Sequence, residues 1–453
     1  MLAFLAGSVG VRAQPVVAGT LPEDYAPGLK EILEVALKQS PQMLLKNLDL
    51  AQAEVNRYFS DAPLLPNVSG SAGYGLSGSR TVSNPPSTSS STGLTYGVGF
   101  GQSLYQWGAL KAQSDIGKLA QQTSERQYAE SYRNLALMLR AQYLNLILKK
   151  IGLRVSRFQL KLQETSLAAL EEQLKDGNIS EGEIINPRLG FQEATLNLDR
   201  AGQDYEYALR VFQRLAGLDQ LKDENIPGDI AHPAYAADSA DSLLASFLQG
   251  GIEHTLQAQT YELGIRQNEL SYKIARTGQY YPKFSFSANY ALSNSSQVIG
   301  NVSTSSAGIS YGYGINASVP IFNGFTTHAQ KVSALNTKRS TQQQLRNYLD
   351  STADGAQNLR KQLGFLARGV ELAETRRALQ EDAVRKVTEQ LSEGTAAQSV
   401  VDATKIQFYA ADFGAINARV EFLNRWSEFV SLVGNDPILS SLPARYLQPS
   451  HGK

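Results

Sequence analysis

One pentapeptide has the spacing of a nucleophile elbow: Gly308-Ile309-Ser310-Tyr311-Gly312 fits G-x-S-x-G. That chemistry needs the serine on a sharp turn between a strand and a helix, where its hydroxyl stands clear and a histidine reaches it. Here the motif sits inside a run that alternates apolar and small residues, which predicts the interior of a strand and argues against catalysis. The four histidines, His232, His254, His328 and His451, are far apart and show no ligand spacing, and cysteine is absent. Such a chain offers no thiolate metal site, no disulfide and no lipid-modified N-terminal cysteine, and it tolerates an oxidising compartment. No phosphate-binding loop and no paired metal ligands stand in the sequence. The expectation is a protein that is not an enzyme, without catalytic residues, metal or cofactor.

Composition narrows the partners. The 453 residues carry 42 Lys+Arg against 42 Asp+Glu, a formal net charge of zero. That balance gives no reason to expect nucleic acid as a partner. The mean hydropathy is −0.26, and no run of about 18 apolar residues exists to form a transmembrane helix. The first residues read as a signal peptide over 1–13. An apolar stretch from Leu2 to Val11 meets the small-residue site Val11-Arg12-Ala13, with cleavage before Gln14, although the basic n-region is missing.

The chain is written twice. Gln173-Leu174 followed by Gly177 recurs as Gln390-Leu391 followed by Gly394, and Leu215-Ala216-Gly217 recurs as Leu432-Val433-Gly434, each copy 217 residues after the first. LLPNVSGSAGYGLS, from Leu64, recurs as YYPKFSFSANYALS from Tyr280, and QSLYQWG, from Gln102, recurs as VPIFNGF from Val319. A fixed period of this kind marks a repeated structural unit. The first repeat covers 14–217, with a β-hairpin at 64–107 and a tip turn at 177–182. A polar linker covers 218–242. The second repeat covers 243–434, with a hairpin at 280–324 and a tip turn at 394–398, and a tail covers 435–453. Each repeat runs helix, strand, loop, strand, very long helix, tight turn, helix.

The long helices carry a seven-residue beat. Leu139, Leu146, Leu153, Leu160, Leu167 and Leu174 form one lane, and Ala141, Leu148, Val155, Leu162 and Ala169 form a second, roughly opposite at about 100° per residue. A two-stranded coiled coil needs one seam; two opposed seams suit a helix with a neighbour on each side. In the second repeat the lanes become Ala356, Leu363, Val370, Arg377, Val384, Leu391 and Asn358, Phe365, Leu372, Leu379, Lys386. The shorter helices carry Ala194, Leu198, Ala201, Tyr205, Ala208, Phe212, Leu215 and Ala411, Ala415, Ala418, Phe422, Arg425, Phe429, Leu432. Residues 109–176 lack proline, and as one helix they would run about 100 Å, too long for an ordinary globular domain. Gly117 and Gly152 weaken that helix.

The strand segments alternate with period two. Val68, Ala72, Tyr74 and Leu76 share a face, as do Tyr96, Val98, Phe100 and Leu104. Phe284, Phe286, Ala288, Tyr290 and Leu292 form a third such face, and Ile309, Tyr311, Tyr313, Ile315, Ala317 and Val319 a fourth. Small polar residues fill the opposite faces. That pattern matches a membrane barrel with a wet lumen, though a half-buried soluble sheet would show it too. Four strands cannot close a barrel, and an open edge cannot sit in lipid. Three copies would bring twelve strands, an even number in the known range.

This order, repeated twice, resembles the TolC-like outer membrane efflux family over nearly the whole mature chain. The junctions QSLYQWG and VPIFNGF resemble the family's Gln-Pro-Leu-Phe-Asp-Gly-Gly type junction. QLKDGNISEGEIIN and EQLSEGTAAQSVVDA resemble its helix tips, a Gly and a short turn followed by Asp-Val-Leu-Asn/Asp-Ala. The resemblance implies a mainly α fold with a small β part. Long antiparallel helical hairpins would form a trimeric α-barrel in the periplasm, and four transmembrane strands per chain would form a 12-stranded barrel in the outer membrane of a Gram-negative bacterium. It also implies a homotrimer that meets outer membrane lipid, a periplasmic adaptor (membrane fusion) protein and an inner-membrane pump or ABC exporter. Its work would be to pass substrates to the cell exterior in tripartite efflux or type I secretion.

In the family, acids near the tips ring a constriction. By position Glu183 and Asn186 fall there in the first repeat. Ser399 and Asp402 fall there in the second if the spacing is allowed to slip by one; a gapless alignment puts Val400 and Ala403 there instead. Gly177, Ser180, Gly394 and Thr395 mark the turns where an adaptor would dock. Simple solvation or first-turn charge on a helix would also account for Glu183 and Asp402. The rival reading of the whole is a non-membrane structural coiled coil or a periplasmic adaptor. Adaptors carry a single helical hairpin and lipoyl-like β segments not seen here, and extraction from outer membranes by detergent separates the two readings.

Overall fold

A computed structural model describes residues 21–82, 84, 87–299 and 302–447. The expected signal segment 1–13 and the last residues of the tail lie outside them. The chain runs α1 (Pro22–Tyr25), α2 (Pro27–Gln39), α3 (Pro41–Asp61), β1 (Asn67–Thr81), β2 (Ser87–Tyr105), α4 (Ala109–Lys175) and α5 (Glu181–Ala216), then α6 (Ala237–Ser246), α7 (Leu256–Tyr280), β3 (Lys283–Ile299), β4 (Val302–Ser318), α8 (Thr326–Ser392) and α9 (Gln398–Leu432). The long helices α4 and α8 are 67 residues each. The chain forms two compact units. One comprises residues up to 48, 126–258 and from 347 onward; the other comprises 49–125 and 259–346.

The recurring glycines stop helices. At the end of α4, Gly177 adopts φ +74°, its N–H bonds to Leu174 O, and Asn178 N–H bonds to Gln173 O at 2.9 Å. Gly394, with φ +73°, repeats this with Leu391 and Gln390 after α8. These are Schellman closures, which place a left-handed residue just past the helix and satisfy its last carbonyls. Gly217 and Gly434 close α5 and α9 in the same way. Gly217 is doubly required, because a Cβ there would stand 2.8 Å from the Gln39 carbonyl. The first short helix, expected as one piece, breaks at Ser40 into α2 and α3, where the Ser40 hydroxyl caps the Met43 amide. Thr255 does the same for Ala258 at the start of α7.

In the first unit the beginning of the leucine lane joins the core, while Leu153, Leu160, Leu167 and Leu174 are partly exposed. Leu139 and Leu146 on α4 and Ala356, Leu363 and Val370 on α8 are buried. Where that lane meets Arg377, the guanidinium Nε sits 2.6 Å from Asp412 on α9, so a salt bridge replaces the apolar contact. The lane on α9 departs from expectation at one step: Arg425 is on the surface, paired to Glu428, and Trp426 is buried in its stead. Of the expected linker 218–242, residues 218–236 form a strap and 237–242 begin α6. Ile226 and Ile230 are buried, Tyr143 and Lys150 of α4 bond the Asn225 and Ile226 carbonyls, and Arg419 of α9 bonds the Ile230 carbonyl. Arginines spaced by seven on α4 hold the end of α9 and the tail that follows it. Arg126 bonds the Arg445 carbonyl, Arg133 the Ser431 carbonyl, and Arg140 the Asp436 carboxylate.

In the second unit α3 and α4 approach closely at Gly117, where a Cβ would stand 2.4 Å from Ser60 Cβ. Ser114 on the same helix bonds Asp61. Gly117 is therefore a contact site inside the long helix, not a break. The four strands pair antiparallel in the order β1-β2-β3-β4. No helix among the described residues is long and apolar enough to cross a membrane.

Candidate functional site

The sheet separates two chemistries by register. Directly paired residues share a face, and one face carries the rows Val68–Phe100–Ala288–Tyr313, Gly70–Val98–Tyr290–Tyr311 and Ala72–Tyr96–Leu292–Ile309. The other carries Ser69–Gly99–Asn289–Gly312, Ser71–Gly97–Ala291–Ser310 and Gly73–Thr95–Ser293–Gly308. The apolar face is open: Tyr311 is 78% and Tyr313 82% exposed. Among the described residues β1 pairs only with β2 and β4 only with β3, so each has one free edge there. One residue leaves the expected lane. The register slips between Ser103 and Tyr105, which brings Tyr105 opposite Phe284 and makes Leu104 the bulged residue. Ser310 sits mid-strand opposite Ala291, away from any strand-to-helix elbow.

The strand-to-helix junctions are alike in both repeats. The Ala109 amide bonds Gln106 O, and the Thr326 amide bonds Asn323 O. Between them, Trp107 and Gly108 have φ +53° and +81°, and Gly324 and Phe325 have φ +62° and +64°. Positive φ at both central positions is the requirement of a type I′ turn, which is why the two junction motifs recur in register.

At the first tip Ser180 precedes α5, and Glu183 is exposed in its first turn. The Ser180 amide and hydroxyl both donate to Glu183 Oε2, at 2.7 and 2.8 Å. The amide bond first, then the hydroxyl bond, hold the Glu183 carboxyl below the usual carboxylate range. Asn186, Gly177 and Ser180 are exposed beside it. At the second tip Ala397 stands where Ser180 does and supplies no side-chain cap. Thr395 bonds back to the Gln390 carbonyl through both its amide and its hydroxyl. Asp402 is half-buried and accepts from Gln398 Nε2 at 2.8 Å, while Gly394, Thr395 and Ser399 are exposed.

The tips align without a gap. Ile184 and Val401, each the fourth residue of its helix, are both 1% exposed. Val400 and Ala403 thus occupy the places of Glu183 and Asn186, and Ser399 and Asp402 stand one residue off. The buried apolar residue four positions into each helix was the signal that could have decided this from the sequence. The arginine ladder that holds the tail was equally open to a search for period seven and was missed.

The comparisons agree with this geometry. The outer membrane efflux protein family matches residues 32–218. Among solved structures, the outer membrane protein VceC of Vibrio cholerae superposes with a TM-score of 0.66 at 15% identity, covering 92% of this chain and 99% of that one. The CmeC outer membrane channel of Campylobacter jejuni gives 0.69 at 15% identity, covering 95% and 91%. The MtrE outer membrane channel of Neisseria gonorrhoeae gives 0.65 at 14% identity, covering 93% and 94%. At these identities the likeness is one of fold. No curated protein matches the sequence. Residues 32–218 thus match the outer membrane efflux protein family, and the fold of the chain is similar to that of the outer membrane channels.

Proposed function

We propose that three copies of this chain form a duct that carries substrates from the periplasm through the outer membrane of a Gram-negative bacterium. The observation that carries the reading is the open sheet with one apolar and one small polar face. A free strand edge leaves backbone groups unpaired, which lipid does not tolerate, so β4 of one copy must pair with β1 of the next. The apolar face then meets lipid, and the Ser/Gly/Asn face lines the lumen. A second feature agrees. Phe365, Leu372 and Leu379 on α8 are 68%, 63% and 66% exposed at a spacing of seven, a seam without an occupant among the described residues. Ile185, Leu189 and Leu196 on α5 form another exposed apolar stripe. A head-to-tail contact between two different seams closes into a ring.

Residues 32–218 match the outer membrane efflux protein family, and we assign to the chain the partners that this resemblance implies, an adaptor and an inner-membrane pump. The exposed turns at Gly177–Ser180 and Gly394–Thr395 are the docking places for a periplasmic adaptor, which opens the tips by binding their splayed form better. Glu183, with Asn186, brings an acid and an amide to that aperture and makes it prefer cations; Asp402 and Ser399, one residue off the matching places, are the acid and hydroxyl that the second tip offers to it.

Mass measurement in mild detergent should give a heat-resistant trimer; a stable monomer sinks the architecture. In planar bilayers Glu183→Gln with Asp402→Asn should lower cation selectivity and weaken block by multivalent cations. Unchanged selectivity would remove these two acids from the aperture and leave the trimer standing.

A further inference from the structure

The sheet is longer than its apolar face. The four strands have 15, 19, 17 and 17 residues, where a tilted strand crosses a bilayer with about 9–11. On the face that carries Tyr311 and Tyr313, apolar rows run from Tyr105–Phe284–Ala317 to Tyr74–Leu94–Asn294–Ala307. From Phe284 to Asn294 the rise is about 34 Å along the strand, or roughly 25 Å in height at a barrel's usual tilt, the height of one apolar band. Beyond that band the same face changes character. Its next rows are Leu76–Thr92–Ser296–Ser305 and Gly78–Ser90–Val298–Ser303, and its last pair is Arg80–Thr88.

The hydroxyls of the two faces are used differently at this end. On the opposite face Ser79 and Ser89 bond each other at 2.8 Å, and Ser295 and Ser306 do so at 3.0 Å. On the face above the apolar band Thr88, Ser90, Ser303 and Ser305 are exposed, and their hydroxyls have no hydrogen-bond partner among the described residues. Charge is sorted as well. Neither 67–105 nor 283–318 contains an acid, although the chain has 42. The only cations there are Lys283, at the helix end of the sheet, and Arg80, at the far end. Arg80 is exposed, and the segment that follows it, up to Ser87, holds no acid to pair with it. A surface that excludes carboxylates and keeps a cation draws anions.

Height decides which anion. From the last apolar row, at Tyr74, to Arg80 the strand rises about 20 Å, or roughly 15 Å in height. The headgroup layer of a phospholipid bilayer adds only about 5–8 Å on each side of the hydrocarbon core. A phospholipid phosphate therefore lies below Arg80, while a phosphate carried on a sugar chain reaches it.

We propose that the far end of this sheet face, from Ser305 up to Arg80, docks the phosphorylated sugar headgroup of a glycolipid in the outer leaflet. The open hydroxyls of Ser90, Ser303 and Ser305 bond sugar hydroxyls, and the Arg80 guanidinium holds a phosphate through two parallel N–H bonds. The surface rests on the channel reading above, because it continues the face that meets lipid. In three copies it fastens the outer rim of the barrel to the glycolipid layer.

The test titrates the protein in mild detergent with purified lipopolysaccharide, with the same material stripped of its phosphates, and with phosphatidylglycerol, reading bound lipid by native mass spectrometry. The intact glycolipid should bind at least about tenfold more tightly than either of the others, as a charge-assisted pair with phosphate requires. Arg80→Glu should remove that preference and leave binding of the stripped glycolipid unchanged, while Arg80→Lys should keep part of it. Ser90→Val with Ser303→Val and Ser305→Val should weaken both forms of glycolipid. Ser79→Val with Ser306→Val, on the opposite face, should weaken neither. Heat resistance on gels shows for each variant that the trimer is assembled. A heat-resistant trimer that takes phosphatidylglycerol as well as the intact glycolipid, or whose preference survives Arg80→Glu, overturns the docking surface and leaves the channel standing. Equal losses from the two sets of serines overturn it too, since the hydroxyls would then serve only the fold. A protein that forms no trimer removes the surface and the channel together.

Discussion

Arg140 and Asp436 form an ion pair with both side chains fully buried, Nη1 to Oδ2 at 2.5 Å, joining the long helix α4 to the segment after α9. Arg140 Nη2 also lies 2.6 Å from Glu23 Oε1 in α1, so one guanidinium ties both ends of the described chain to the same turn of helix. Burial opposes the charge on Arg140. The hydrogen bond and charge of Asp436, joined by those of Glu23, outweigh burial and raise its pKa above the ordinary arginine value.

Arg140→Ala would leave two carboxylates facing each other without a cation. Removing one partner of a buried pair costs about 3–5 kcal/mol. Thermal unfolding followed by circular dichroism should show a clearly lower midpoint, and trypsin should cut sooner at Arg445, which Arg126 also helps to hold. Replacing the set together, as Arg140→Met with Glu23→Leu and Asp436→Asn, should recover most of the loss. Asparagine is chosen because Asp436 also accepts from the Ile438 amide. An Arg140→Ala protein as stable as the parent would show that the pair is replaceable by water.

Two glycines inside α4 should answer differently to alanine. At Gly117 the added methyl meets Ser60, and overpacking of that kind costs about 1–3 kcal/mol. At Gly152 the nearest atom would be Phe413 Cε2 at 3.8 Å, an ordinary contact. Gly152→Ala should therefore be neutral or stabilising by up to about 1 kcal/mol from helix propensity. Denaturation midpoints in the same detergent compare the two, and equal effects would refute the close approach at Ser60.

The sheet faces can be told apart by charge. Phe286→Asp, on the face that pairs with Ile315, should reduce barrel stability by about 1–4 kcal/mol depending on depth. Ser285→Asp, on the polar face, should be tolerated. Heat resistance of the trimer on gels reads both, and equal defects would reverse the assignment of lipid and lumen.

The first tip should loosen in acid and the second should not. Hydrogen bonds from Ser180 stabilise the charged form of Glu183, so its folded pKa lies below the ordinary value of 4.5. A depressed carboxylate contributes stability that is complete above the ordinary value and is lost as pH falls through the depressed one. Amide exchange over 181–184, corrected for intrinsic rate, should quicken across that acid range, while exchange over 398–401 should not show this step. Glu183→Gln should abolish the step. A step that survives the substitution would place the titrating group elsewhere.

Local rules and internal repetition made much of this protein legible in its sequence. The Schellman glycines, the heptad lanes and the two-faced strands each depend on residues a few positions apart, and each occurs twice, so one copy checks the other. The same locality explains what was missed. The bulge at Leu104 is a property of the pairing of β2 with β3, strands about 180 residues apart in sequence. The place of Trp426 in the Arg425 lane follows from which face of α9 meets its neighbours. Arg377 breaks its lane on paper only, because Asp412 waits on the next helix. The polar segment 218–236 is a strap because Arg419, Tyr143 and Lys150 offer donors to its carbonyls, and no composition reveals a partner that distant. At the tips the sequence allowed two alignments for Asp402, and the two buried residues Ile184 and Val401, each fourth in its helix, match in the one without a gap. A periodic pattern tells a residue which way to face; only the folded chain tells it what stands opposite.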